Sequence, residues 1–308
     1  MTRYTELQIS SELLDQPDFD GAPKKVFVCS TPRSGSYLLC RHMINAGLGV
    51  PHEYFNPIVM GQMAPRLGLE DDLYGLTWWP RGRRDRLLMR RRGEEAGQLA
   101  FLEKYLDFLL TRRCQGGVFA AKIHFRDFRR TLNNPLGQEL LKDGLFIHLY
   151  REDLVKQAVS EHFSWMTGRW GIDDTVTTQP ASNPDFFDPQ AIDRSLFDLA
   201  DQDRGWRAYL ARKGVTPISI SYETLCKEPF AFVETIARRL EIDPATLRRG
   251  YAEPASASES DPTLPSKSEA ARRYLAAVPS LPDPFGWAPR LDIRRLFGGQ
   301  ARADARRD

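Results

Sequence analysis

The stretch KKVFVCSTPRSGSYLLC, residues 24–40, limits this chain more than any other. Lys24–Ser30 is a short β-branched and aromatic run that reads as a buried strand. Residues 31–35, Thr-Pro-Arg-Ser-Gly, break it. Apolar Leu38, Leu39 and Met43 then recur at helical spacing up to Gly47. A strand that turns through glycine into a helix builds an anion site. The first N–H groups of the helix lack partners, and its macrodipole favours negative charge there. Gly35 lets the backbone approach a ligand closely, Ser34 and Ser36 add hydroxyl donors, and Arg33 supplies a planar, permanently charged fork for oxyanions. An ordinary strand–helix turn is the plain alternative.

Further elements repeat the alternation. An amphipathic helix is predicted over residues 98–113, with Leu99, Leu102, Leu106, Leu109 and Leu110 on one side. Strands are predicted at 118–123, 145–150 and 216–221, and helices directly after Tyr150, over 195–213 and over 229–240. Strands separated by helices imply right-handed crossovers. The fold class is α/β, a mostly parallel sheet flanked by helices. Residues 48–95 are rich in loops, and the Pro- and Ser-rich stretch 252–267 reads as a mobile loop. No internal repeat is visible. One domain over residues 24–297 is expected, after a polar lead-in (1–23) and before a basic tail (298–308).

A chain of 308 residues can bury a core without disulfides or a structural metal. Its net charge of +2 gives no general affinity for polyanions, and no nucleic-acid partner is expected. Arginines crowd the stretch from Arg81 to Arg92 and the tail after Arg290, and both are read as solvated. Cys29, Cys40, Cys114 and Cys226 match no zinc spacing. Cys29 and Cys40 sit in apolar runs as buried thiols, which suits a reducing compartment. The N-terminus has no apolar signal core, and no run is long enough for a transmembrane segment. A soluble, cytoplasmic protein is expected.

The nucleoside-triphosphate loop GxxxxGK[ST] is absent, so no Lys-Ser/Thr pair holds magnesium. That disfavours the main alternative, a P-loop nucleoside or sugar kinase. A catalytically inert nucleotide-binding module is a third reading. Arg151, at a strand end, and Ser160, about two turns along the next helix, can face one crevice at the carboxyl end of the sheet. Pairing of Arg151 with Glu152 or Asp153 is the plain alternative. Lys122 and His124 end the second long strand and point to one side.

The segment VFVCSTPRSGSYLLCRHM, with Pro51-His52-Glu53-Tyr54-Phe55 after it, resembles the bacterial carbohydrate sulfotransferases typified by trehalose 2-sulfotransferase. The resemblance continues through residues 151–160 and 221–240. It implies a P-loop-like sulfotransferase fold and transfer of a sulfuryl group from 3'-phosphoadenylyl sulfate (PAPS) to a carbohydrate or glycolipid hydroxyl. Adenosine 3',5'-bisphosphate is then the product, no metal is needed, and a homodimer is expected. By resemblance, Arg33, Ser34, Gly35, Ser36 and Tyr37 hold the 5'-phosphosulfate, and Arg151 with Ser160 the 3'-phosphate. Tyr37 departs from the pattern, which usually has a small hydroxyl residue there.

Glu53 matches the family's catalytic base, and burial beside aromatic rings is expected to raise its pKa toward working pH. His124 matches the K-x-H of cytosolic sulfotransferases, where histidine is the base, so two bases stand open. Arg33 and Lys122 are the cations for charge on the bridging oxygen. His52, His148 and His162 are weaker candidates, and His148 reads as packed within its strand. His162, Phe163, Trp165 and Trp170 line the acceptor pocket or pack in the core. Loop 48–95, with Trp78 and Trp79, is expected to help set the acceptor. Arg212-Lys213-Gly214 copies a family 3'-phosphate triplet at the wrong place, and Lys267, in the Pro/Ser loop, is a weak stand-in for it.

Overall fold

The protein is described by a computed structural model over residues 12–68, 94–168, 170, 187–249 and 266–278. The arginines from Arg81 to Arg92, Trp78, Trp79, most of the Pro/Ser stretch and the basic tail lie outside the described residues. Among the described residues, five strands form one sheet: β1 (Lys24–Ser30), β2 (Cys114–Gln115), β3 (Val118–His124), β4 (Leu145–Tyr150) and β5 (Ile218–Ser221). Their order is β2-β3-β1-β4-β5. Only β2 runs antiparallel, as a short edge beside the start of β3.

β1 is central, and covered on both faces, which is why its sequence is almost uniformly apolar. Phe27 and Cys29 face one core with Phe119, Ala121 and Ile123, under helix α3 (Glu94–Arg112). Val26 and Val28 face the other, with helix α1 (Ser36–Ala46) packed over them. Helix α2 (Pro57–Met63) follows α1 within the stretch expected to be mainly loop. Asn56 caps it, and Pro57 takes the first turn, where its missing N–H costs nothing.

α4 (Pro135–Leu141) precedes β4, and α5 (Leu154–Thr167) follows it. α6 (Pro189–Arg212) starts ahead of the predicted residue 195, because Asp188 caps it and Pro189 opens it. Its buried side chains Leu199, Gln202, Trp206 and Leu210 form a stripe at helical spacing. Fully buried Trp206 packs on Phe128 and donates to the Ser30 carbonyl at 3.1 Å, fixing the end of β1. β5 begins at Ile218, after Pro217, rather than at Thr216. α7 (Pro229–Arg239) packs its Val233 and Ile236 into the second core.

Lys267, expected in a mobile loop, instead opens helix α8 (Lys267–Ala277), whose end Ser266 caps by accepting from the Glu269 N–H. From β1 the chain goes first to β3 on one side, then to β4 on the other. That reversal makes a topological switch point outside the carboxyl ends of β1 and β4, the place where open α/β sheets bind ligands.

Candidate active site

The turn after β1 is shaped by its neighbours. Gln157, on α5, donates to the Thr31 hydroxyl at 2.7 Å and to the Pro32 carbonyl at 2.6 Å. Arg33 takes a left-handed conformation with φ of 60°, which costs a side-chain-bearing residue roughly 1–2 kcal/mol. Gly35 follows at φ 83° as the N-cap of α1. A Cβ on Gly35 would stand 2.1 Å from a ring carbon of Tyr222, so conformation and space both demand glycine. Ser34 is wholly buried, and its hydroxyl has no hydrogen-bond partner. A buried polar group left without a partner is expensive, and a bound oxyanion would remove that cost.

Arg151, just past β4, reaches this turn. Its Nη1 donates to the Arg33 carbonyl at 3.4 Å, and its guanidinium lies 4.7 Å from the Tyr222 ring centre. Glu223 is its acidic neighbour, with Oε1 3.7 Å from Nε. Pairing with Glu152 or Asp153 is not what the structure contains. Asp153 instead caps α5 through the Lys156 N–H. Ser160 Oγ accepts from Arg33 Nε at 3.1 Å, and Arg33 Nη1 donates to the Trp170 carbonyl. Arg33, Arg151 and Ser160 therefore share one crevice.

A second cluster stands at the end of β3, beside β1. The His52 carbonyl accepts from the Lys122 N–H at 2.9 Å, so residues 51–53 run along β3 and deliver Glu53 to its end. Glu53 keeps 16 % of its side-chain surface and forms an ion pair with Lys122. Asn56 donates to its other oxygen at 3.3 Å, and His124 Nε2 lies 3.8 Å away. Tyr37, 40% exposed on the first turn of α1, lays its ring 3.6 Å from Lys122 Nζ. The tyrosine that departs from the family pattern thus serves as a lid on the lysine.

The acidity of Glu53 runs opposite to expectation. Burial pushes its pKa up, but the charges of Lys122 and His124, with hydrogen bonds from Lys122 and Asn56, bring it down to about 2. Burial works against the Lys122 charge too, yet Glu53 and Tyr37 outweigh it and hold the ammonium above its usual range. His124 is lowered to about 4 by burial, with Lys122 and Arg126 reinforcing and Glu53 opposing. It is a neutral imidazole at neutral pH, and its buried Nε2 has no hydrogen-bond partner.

The other singled-out residues divide. His148 is buried in β4 and pairs with Asp203 at 2.8 Å. His52 is buried against Tyr54. Phe163 joins a core cluster with Val159 and Leu199, whereas His162 and Trp165 line a cavity of about 380 Å³. Arg212-Lys213-Gly214 closes α6 and leads into the amino end of β5, opposite the crevice. Sequence reasoning missed Gln157, Tyr222 and Glu223. Gln157 stands one helical turn before Ser160 and so shares its face, a readable signal. Nothing in the sequence ties Tyr222 to Gly35.

Among the described residues, no group of three or more His, Cys, Asp or Glu side chains is placed to hold a metal ion. No helix among them is long and apolar enough to cross a membrane. Comparison with known proteins finds that the family model described as Stf0 sulphotransferase matches residues 26–275. A trehalose 2-sulfotransferase of Mycobacterium tuberculosis is 28% identical over 84% of this chain and 97% of its own length. One from Mycolicibacterium smegmatis is 27% identical over 72% of this chain and 86% of its own. The solved sulfotransferase domain from the curacin biosynthetic pathway covers 71% of this chain and 74% of its own at 16% identity. Its TM-score is 0.38, too loose a superposition to argue from.

Proposed function

This chain belongs to the Stf0 sulphotransferase family, and from that premise we propose that it transfers the sulfuryl group of PAPS to a hydroxyl of a carbohydrate or glycolipid. The acceptor class is drawn from the trehalose 2-sulfotransferases it resembles. A cytoplasmic homodimer completes the reading. The family resemblance supports the dimer, and the free, buried thiols of Cys29, Cys40 and Cys114 support a reducing compartment.

One observation carries the proposal: Arg33, Arg151 and Ser160 are linked by hydrogen bonds at the sheet's switch point, and Ser34, next to Arg33 in the same turn, has a buried hydroxyl without a hydrogen-bond partner. Two cations and two hydroxyls at a strand–helix turn suit a ligand with two separated anionic groups. When bound, the donor supplies an activated sulfuryl group on a phosphate leaving group. Arg33, Ser34 and the α1 N–H groups hold its 5' end. Arg151 and Ser160 hold the ribose phosphate.

Glu53 takes the proton of the acceptor hydroxyl as the new O–S bond forms and the bond to the phosphate oxygen breaks. A carboxylate held at about 2 is a feeble base while Lys122 is bound to it. Turning the ammonium toward the bridging oxygen strengthens Glu53 at the moment charge builds on the leaving group. Lys122 thus couples the two halves of the reaction. His124, neutral and within 3.8 Å of Glu53, is the rival base.

Calorimetric titration tests the reading. Adenosine 3',5'-bisphosphate should bind at least about ten-fold more tightly than AMP, and Arg151→Ala should abolish the difference. Equal affinity of the unsubstituted chain for the two nucleotides would sink it.

A further inference from the structure

Tyr37 joins the two clusters, and the mechanism above gives its side chain no task. It is the second residue of α1, so its backbone belongs to the anion-gripping turn. Gly35 caps that helix, and its carbonyl accepts from the Leu38 N–H at 2.9 Å. The Tyr37 side chain leaves the turn and reaches the end of β3, where its ring centre lies 3.6 Å from Lys122 Nζ. The same ammonium is ion-paired with Glu53. Lys122 is only 2% exposed, whereas the tyrosine that covers it is 40% exposed. An ammonium gripped by a carboxylate and an aromatic face has little freedom to turn elsewhere.

We propose that the Tyr37 ring makes this enzyme choose the acceptor hydroxyl over water, by holding Lys122 on Glu53 until an acceptor is seated. The inference rests on the sulfuryl-transfer reading and adds a specificity-determining residue to it. Water is the standing competitor of any acceptor. Its oxygen can bond to the sulfur as the bond from sulfur to the phosphate oxygen breaks, giving sulfate and adenosine 3',5'-bisphosphate. One proton of the water then passes to Glu53, and the other to solvent as the sulfate ionises. Sites that handle activated groups must suppress this loss. Water is too small to be kept out by shape alone, but it can be denied a base. While the ring and the carboxylate hold the ammonium, Glu53 stays a feeble base and Lys122 cannot serve the leaving oxygen. A sugar is large enough to push a partly exposed ring aside as it settles, and a water molecule is not. Release of Lys122 is thereby tied to the arrival of the right nucleophile.

Two measurements on the whole chain test the assignment. The first needs no ligand. Reductive methylation, read by peptide mass spectrometry, should modify Lys122 about 5–30-fold faster in Tyr37→Ala than in the unsubstituted chain. The second follows sulfate release from PAPS with no sugar present. Release should rise in Tyr37→Ala by a similar factor, and transfer to trehalose should rise less, so that more of the donor is lost to water. Tyr37→Phe keeps the ring and should rescue both readouts. Equal methylation of Lys122 with and without the ring overturns the assignment. So does sulfate release that fails to rise, or that rises no more than transfer. Failure of the unsubstituted chain to bind adenosine 3',5'-bisphosphate strikes the sulfuryl-transfer reading instead, and methylation still scores the ring.

Discussion

The two clusters at the strand ends use charge in opposite ways. Around Glu53 the charges cancel: a carboxylate, a lysine and a neutral imidazole interlock at the end of β3, under the ring of Tyr37. Around Arg33 the arrangement differs. Two guanidiniums converge on one turn, the partly exposed carboxylate of Glu223 stands 3.7 Å from Arg151 Nε, and the buried Ser34 hydroxyl lacks a hydrogen-bond partner. The first arrangement holds a reactive group in check, and the second is built to receive negative charge. On the proposed reading, one end of one sheet separates proton chemistry from anion recognition. Each cluster comes from different strands and can be broken by itself.

The sharpest test of that separation is at the base. Glu53→Gln should lower kcat by about 10²–10⁴-fold and leave the calorimetric affinity for adenosine 3',5'-bisphosphate unchanged. His124→Gln, measured alongside, should cost far less. The reverse ranking would pass the role of base to the histidine. Lys122→Met comes next. It leaves Glu53 largely buried without its countercharge, and chemical denaturation should register a loss of about 3–5 kcal/mol. An unchanged midpoint would mean that the carboxylate is satisfied without the lysine.

A smaller effect is expected at the other cluster. Tyr222→Leu removes the ring beneath Arg151 and should weaken the same nucleotide by about 5–30-fold, with kcat at saturation little altered. Acid stability separates the groups further. Glu53 has a folded pKa of about 2, below its ordinary value of 4.5. The stability it contributes is complete above pH 4.5 and is lost as pH falls toward 2. His124, lowered from 6.5 to about 4, makes its loss earlier, as pH falls from 6.5 toward 4. Glu53→Gln should flatten the lower window of a stability–pH curve, and His124→Gln the upper. Least affected should be Tyr37→Phe, which keeps the ring on Lys122. Tyr37→Leu should cost about 1–2 kcal/mol of stability by denaturation.

Much of this arrangement is legible in the chain. The three long strands read well because each is buried on both faces and so is nearly all apolar. The turn at Arg33 and Gly35 reads because glycine and a charged fork are needed there whatever surrounds them. Helix starts at Asn134-Pro135 and Asp188-Pro189 carry cap signals in plain view, yet are outweighed by the loop-like composition around them. Glu53 could be named but not its acidity. Depression to about 2 depends on Lys122, which reaches it from a strand far along the chain. Contacts of this kind, like Tyr222 against Gly35, are made by topology and leave no local trace.

The ring of Tyr222 has a consequence for biosynthesis. It directly follows β5, the last of the five strands in chain order, and it fills the space that a side chain at Gly35 would need. Most of the anion-gripping turn is translated early, but its packing is finished only when this late tyrosine docks. On the proposed reading, a chain that ends before Tyr222 should hold the nucleotide less firmly than the full chain, so nucleotide binding would report folding past that point.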